Sequence, residues 1–480
     1  MNPILIGLLL YLLFVLIVGI RTAGQNRTHA DFLIANRKLG PFAIALSERA
    51  SAESAWIVLG LPGAALVAGF SEIWTVIGCL LGIIFIWLFL AKPLRDLAGK
   101  YDSLTIPDLI ASYFDDENNL LRISASAIIT FFFALYIAAQ FNGAGKIIHS
   151  TFGLPPISGM LLGGGIIVLY TIMGGFRAVV WTDVVQAIIM FATLVILPIV
   201  GFFSLPAASG NNLILGMASL SENKSSWNSL LAIASGLSWG LGYTGQPHLL
   251  IRFLAIHDSS EIKRGRAIAF IWAIPAFLGS FAMGIVGLQL YGKAPFTDPE
   301  TVMPYMATHL LPSIVAGILI SGAMAAMMST ADSQLLVTTS TISEDLLHKV
   351  GRVKFNQERF LTVNRLVTCA VGILAFVLAF TSRELVFTIV SYAWSGLGAS
   401  FGPVILGILF WRRITRYGAL AGMWTGAITT IVWKNFAALN ALITERLASY
   451  VLAILMIIIV SLITPKKDTA TDEQVSKVQR

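Results

Sequence analysis

Charge is scarce in this 480-residue chain: Asp, Glu, Lys and Arg make up 12%, against about 25% in ordinary soluble domains. Hydrophobic residues make up 56% and the mean hydropathy is +0.81, which excludes a soluble enzyme or a nucleic-acid-binding domain. Cysteine is equally rare. Cys79 and Cys369 both sit in apolar runs, so no disulfide framework or metal knuckle can be built, and they read as small buried hydrophobes. The short alternating strands of an outer-membrane barrel are absent. There is no Walker loop and no nucleophile, base and oxyanion constellation, so the chain reads as neither an ATP-driven pump nor an enzyme. A Gly-x-Gly-x-x-Gly does occur at Gly240 to Gly245, but no strand precedes it and dinucleotide binding is excluded. The Met-Asn-Pro start lacks a basic n-region, so the first apolar run reads as a retained helix, not a cleaved signal peptide.

What is present is a series of apolar runs, each long enough for the roughly 20 residues of a membrane-spanning helix. The expectation is an all-α polytopic membrane protein with thirteen transmembrane helices. Basic residues gather at alternate helix ends: 25 of the 32 fall on one side. The positive-inside rule then places the N-terminus outside and the C-terminus in the cytoplasm of a cell membrane. Residues 1–40 hold the first helix and a cytoplasmic loop. Residues 41–204 carry helices two to six, 205–228 an outer loop, 229–410 helices seven to eleven, 411–464 helices twelve and thirteen, and 465–480 a polar tail. A short amphipathic helix at 106–114 is expected to lie at the interface.

The second and seventh spans are both interrupted, by Gly60, Pro62 and Gly63 in one and by Gly236, Gly240, Gly242, Gly245 and Pro247 in the other. Each opens a group of five helices, and an odd offset inverts one group relative to the other. Broken helices at matching places in inverted halves point to a midplane binding site in secondary transporters; the plain alternative is that Gly and Pro are simply commoner in membrane helices.

Polar residues inside spans narrow the chemistry. Along the ninth span, Ser329, Thr330, Asp332 and Ser333 fall within about one helical turn, an oxygen cluster that suits a hard cation. Hydroxyls also bond their own helix, but an intramembrane carboxylate demands a partner. Asp183 precedes an apolar run and reads as a helix N-cap, with a cation ligand as the alternative. Trp239 and Tyr243, four apart, share one helix face and either pack or wall a small ligand. His248 reads as structural. Glu48 and Arg49, inside the second span, read as an internal ion pair.

With these motifs in view, the chain resembles the sodium:solute symporter family, and within it the bacterial carriers of proline. The resemblance runs from about Gly19 to Thr464. It is carried by Gly60 to Ala64, Gly174 to Gln186, Trp239 to Arg252, Ser333 to Val337, and Val390 to Gly396 continuing through Gly402-Pro403. It implies an inverted five-plus-five repeat core with one extra N-terminal and two extra C-terminal helices. It also implies a sodium site made by the backbone carbonyls of Ala50, Glu53 and Ala326 with the hydroxyls of Ser329 and Thr330. A possible second sodium site uses Asp183, Ser329, Asp332 and Ser333. The substrate, proline or another small solute, is implied to lie near Ser54, Trp56, Tyr136, Trp239, Tyr243 and Pro247. The chain departs from the proline carriers in having Ala52 where they have an aspartate, and in Glu48, Arg49, Glu53 and Asp332.

The expected function is sodium-coupled import of a small amino acid by alternating access, with the lipid bilayer as surroundings, Na+ as coupling ion and no obligatory protein partner. The alternatives are the same fold carrying another amino acid, a monocarboxylate, pantothenate or a sugar. A membrane sensor or a channel lies further off.

Overall fold

The computed structural model describes residues 3–23, 29–206, 226–382 and 384–465. Those residues are helical throughout and hold one isolated parallel bridge, Leu39 to Ile256. Eight described helices are long and apolar enough to cross a membrane on their own, and two shorter apolar helices, Pro3–Val18 and Pro156–Ile172, join them. Most of the expected 205–228 loop and of the 465–480 tail lies outside the described residues.

The seventh span breaks where the sequence places it, at Tyr243 to Gln246, but the second breaks earlier, at Glu53 and Ser54, and the Gly60, Pro62 and Gly63 expected to interrupt it lie within helix. Pro41 opens the helix Pro41–Ala52, which ends at Glu53 with φ −103° and ψ 56°. After Ser54 the chain restarts in a π-turn, Trp56–Gly60, and runs on without interruption as Leu61–Ala68, so Pro62 lies inside helix and its missing N–H leaves a carbonyl of the preceding turn without an intrahelical partner. In the second break, Trp239–Gly242 tightens into the 3-10 turn Tyr243–Gly245. Gln246 is extended, as a residue before proline should be, and Pro247 starts Pro247–Ala255.

Backbone groups freed by these breaks find partners on neighbouring helices. Gln140 Oε1 accepts the N–H of Ala55 at 3.0 Å, and Ser280 donates to the Ile57 carbonyl. Trp394 Nε1 donates to the Trp239 carbonyl at 3.1 Å, and Gln246 Nε2 to the Trp394 carbonyl at 3.0 Å. Such compensation is what permits irregular backbone at membrane depth. Glycine then sets how close the helices lie. A Cβ on Gly240 would sit 2.1 Å from the Gly78 carbonyl oxygen, and one on Gly245 would sit 2.4 Å from the Gly402 nitrogen. The second broken span is thus wedged, backbone to backbone, between Ile73–Phe85 and Val386–Phe410.

Two further local expectations change. Residues 156–203 form a nearly continuous run, kinked only at Gly175, whose φ of 57° falls in the left-handed region open to glycine. Helix therefore resumes well before residue 183, so Asp183 sits within a helix and cannot be its N-cap. The short helix Ile106–Tyr113 has six buried residues and packs into the protein, so it is not lying along an interface. Between two of the long helices, residues 292–312 hold the 3-10 turn Pro299–Thr301 and the helix Val302–Leu310.

Candidate functional site

The helix Ser313–Ser340 is buried on all sides from Gly322 to Ser340, so its hydroxyls face protein, not lipid. Ser329 Oγ donates to the Ala50 carbonyl at 2.9 Å and lies 3.1 Å from the Ala326 carbonyl. Thr330 Oγ1 donates to the Ser51 carbonyl at 2.9 Å, and Ser51 Oγ returns a bond to the Ser329 carbonyl at 3.1 Å. The Ala50 and Ser51 carbonyls belong to the last turn of Pro41–Ala52, where helix carbonyls lack intrahelical partners and carry partial negative charge. Four of the five residues in the expected sodium set therefore meet across the break: Ala50, Ala326, Ser329 and Thr330. Glu53 caps the same helix end. The donor set is carbonyl and hydroxyl oxygen throughout and fully buried, which fits a hard monovalent cation.

The second expected set is also assembled, but around a cation of its own. Arg252 Nη2 lies 2.9 Å from Asp183 Oδ2, 2.6 Å from Ser333 Oγ and 2.5 Å from Ser51 Oγ. Its Nε donates to Ser47 Oγ at 2.8 Å, and its Nη1 to the His248 carbonyl. Asp332 stands at the edge of this network: Tyr170 donates to its Oδ2 at 2.6 Å and Ser333 to its Oδ1 at 3.1 Å. Asp183, Asp332 and Ser333 are thus joined, with a guanidinium inside the set. Sequence reasoning missed Arg252, because a basic residue near a helix end reads as an ordinary inside charge.

The aromatic set gathers at the two breaks. The Trp56 and Trp239 rings stack at 4.8 Å, Phe387 lies 5.2 Å from Trp239, and the Arg446 guanidinium lies over the Trp239 ring at 4.7 Å. Tyr243 meets Trp394 edge-on at 4.8 Å, and its hydroxyl donates to Glu53 Oε1 at 3.0 Å. Ser54 Oγ and Tyr136 OH are 3.3 Å apart, and Pro247 is buried at the first position of its helix. A cavity of about 220 Å³ bounded by Gly60, Gly63, Glu72, Pro299, Glu300 and Phe387 opens beside this set. Phe387 lines it and its ring packs against both tryptophans.

Glu48 and Arg49 form the expected internal pair and Glu53 joins it. Arg49 bonds Glu48 through two nitrogens and reaches Glu53 Oε1 at 2.8 Å, and all three side chains are fully buried.

A model of the sodium:solute symporter family matches residues 32–426. The chain belongs to that family. The symporter is 39% identical over 470 residues to the high-affinity proline transporter PutP of Bacillus subtilis, covering 97% of this chain and 99% of that one. It is 36% identical to the sodium/proline symporter of Escherichia coli K12, with 96% and 93% covered. In fold it resembles a Na+-coupled sialic acid symporter solved in a substrate-bound outward-open state, with a TM-score of 0.83 and 19% identity over 98% of this chain. That likeness shows the fold, and the family match with the eight apolar membrane-length helices makes the chain a multi-pass membrane protein.

Proposed function

We infer that the protein is a sodium-coupled secondary active symporter that imports a small amino acid, proline first among them, by alternating access and without a covalent step. The observation that carries this reading is the 2.9 Å contact between Ser329 Oγ and the Ala50 carbonyl, which joins the broken second span to the hydroxyl-bearing ninth. Sodium would be held by the carbonyls of Ala50, Glu53 and Ala326 and the hydroxyls of Ser329 and Thr330. Ser54, Trp56, Tyr136, Trp239, Tyr243 and Pro247 would hold the solute. The relatives named for proline support that substrate.

An ion spanning the two helices orders the break and so improves the solute site; linkage requires the solute to improve sodium binding by the same factor. One charge moving through 100 mV supplies about 2.3 kcal/mol. A tenfold gradient adds about 1.4 kcal/mol, which together support on the order of 500-fold accumulation. Asp183, Ser329, Asp332 and Ser333 form the second candidate cation site. Because Arg252 already supplies a positive charge to Asp183, the reading is a stoichiometry of one sodium. The topology that goes with it is thirteen crossings, 41–204 and 229–410 as inverted repeats, the N-terminus outside and the C-terminus inside.

The test is uptake of labelled proline into proteoliposomes under an imposed sodium gradient, with competing amino acids, monocarboxylates, pantothenate and sugars. Sodium-driven, electrogenic proline uptake with a sodium Hill coefficient near one supports the reading. Sodium-independent, voltage-insensitive uptake overturns the coupling, a Hill coefficient near two places an ion in the second set, and stronger competition by another solute replaces the substrate.

A further inference from the structure

The charged cluster at the break of the second span is larger than a sodium site needs. Glu48 is fully engaged: Arg49 contacts both its oxygens, and Trp87 Nε1 donates to Oε2 at 3.1 Å. Glu53 is not. Its Oε1 takes bonds from Arg49 Nη1 and Tyr243 OH, while its Oε2 has no partner although the residue is fully buried. Glu48 and Glu53 share one arginine, and Glu48 takes two of its three bonding nitrogens. A buried carboxylate oxygen of that kind is costly unless a cation or an N–H arrives to meet it. It also stands at the C-terminal end of Pro41–Ala52, where the unpaired carbonyls favour positive charge.

The oxygen is tied to the aromatic set. Tyr243, which donates to the same carboxyl, lies one turn beyond Trp239, and Trp239 stacks on Trp56. Trp56 Nε1 is itself buried with no acceptor. The break thus leaves one unmatched acceptor and one unmatched donor, three residues apart beside a flat apolar wall. A protonated amine on a small apolar ring, with a carboxylate of its own, satisfies both. A sugar or a bare monocarboxylate leaves the Glu53 oxygen unmet.

We propose that the Glu53 carboxylate accepts the protonated amine of the transported solute and so restricts this symporter to amine-bearing zwitterions. The proposal rests on the symport reading above. It is tested in proteoliposomes of the full chain by competing proline uptake with cyclopentanecarboxylate, which keeps the ring and the carboxylate and lacks the nitrogen. The native protein should discriminate against the analogue by on the order of 30-fold or more, the range for a buried hydrogen bond to a charged group. Glu53→Gln keeps an acceptor for Arg49 and Tyr243 and removes the charge. It should raise the proline KM by a similar factor, move the sodium KM less than about threefold, and flatten the discrimination.

Equal competition by the two ring acids in the native protein overturns the proposal, and needs no variant to fold. So does a Glu53→Gln protein in which the sodium KM shifts more than the proline KM, since the free oxygen would then be a sodium ligand. If proline proves not to be the solute, sodium-driven uptake of any solute lacking an amine also overturns it. The symport reading fails on a separate observation, uptake indifferent to sodium.

Discussion

Replacing Arg252 by methionine keeps most of the aliphatic stem and removes the guanidinium from a site it fills with five hydrogen bonds. Arg252 is 1% exposed and Asp183 fully buried. The loss therefore strands a carboxylate, and removing one partner of a buried pair costs about 3–5 kcal/mol. If the cost is the stranded charge, Arg252→Met with Asp183→Asn should recover much of it, leaving about 1–2 kcal/mol from unmatched hydroxyls. The single variant has a second consequence. Asp183 Oδ2, Ser51 Oγ and Ser333 Oγ would then form an oxygen cage with a negative charge and no internal cation, and sodium can take the vacated place. Occupancy at 100 times its dissociation constant would return about 2.7 kcal/mol. Unfolding titrations in sodium and in choline, on the native protein and both variants, check this. Arg252→Met should be rescued by sodium more than the native protein is, and its sodium Hill coefficient for uptake should rise above one. The reasoning is refuted if the single variant is within about 1 kcal/mol of native, or if the double variant is no more stable than the single.

Gly240→Ala should be destabilised by more than about 2 kcal/mol, because its Cβ would meet the Gly78 carbonyl at 2.1 Å and backbone cannot yield as a side chain can. Gly165→Ala, with nothing within 4 Å of its Cβ, should be neutral or slightly stabilising in the same unfolding assay. Trp239→Phe keeps an aromatic face against Trp56 and should raise the solute KM by about fivefold, whereas Trp239→Ala should raise it well beyond that. Equal effects of the two on uptake kinetics would argue against a stacking role.

Much of the architecture was legible because lipid imposes simple rules. Scarce charge, long apolar runs and Gly/Pro clusters in the second and seventh spans identified a transporter-like helix bundle with two breaks. That the hydroxyls of Ser329 and Thr330 would face other oxygens was legible for the same reason, since polar groups in an apolar span need partners, and they meet the Ala50 and Ser51 carbonyls. The helix start near Gly175 was not. Arg177, Thr182 and Asp183 look like a polar loop until Thr182 is seen to bond back to its own helix and Asp183 to meet Arg252, and the positive φ of one glycine separates two helices without any intervening loop. Arg252, and the side chain of Glu53 as distinct from its carbonyl, were illegible because spacing along one helix says nothing of what faces it. The bonds that define them reach Asp183, Ser47 and Ser333 in one case and Tyr243 in the other.

Equilibrium binding of ²²Na+ to the purified protein, native and Ser329→Ala, bears most directly on whether one ion links the two helices. Losing a hydroxyl ligand to an ion costs about 1.5–3 kcal/mol, offset by about 1 kcal/mol for the bond to the Ala50 carbonyl that the empty site also loses. The expected result is one ion per native chain, bound about 2- to 30-fold more weakly by the variant. Sodium bound equally well by both proteins would contradict the account.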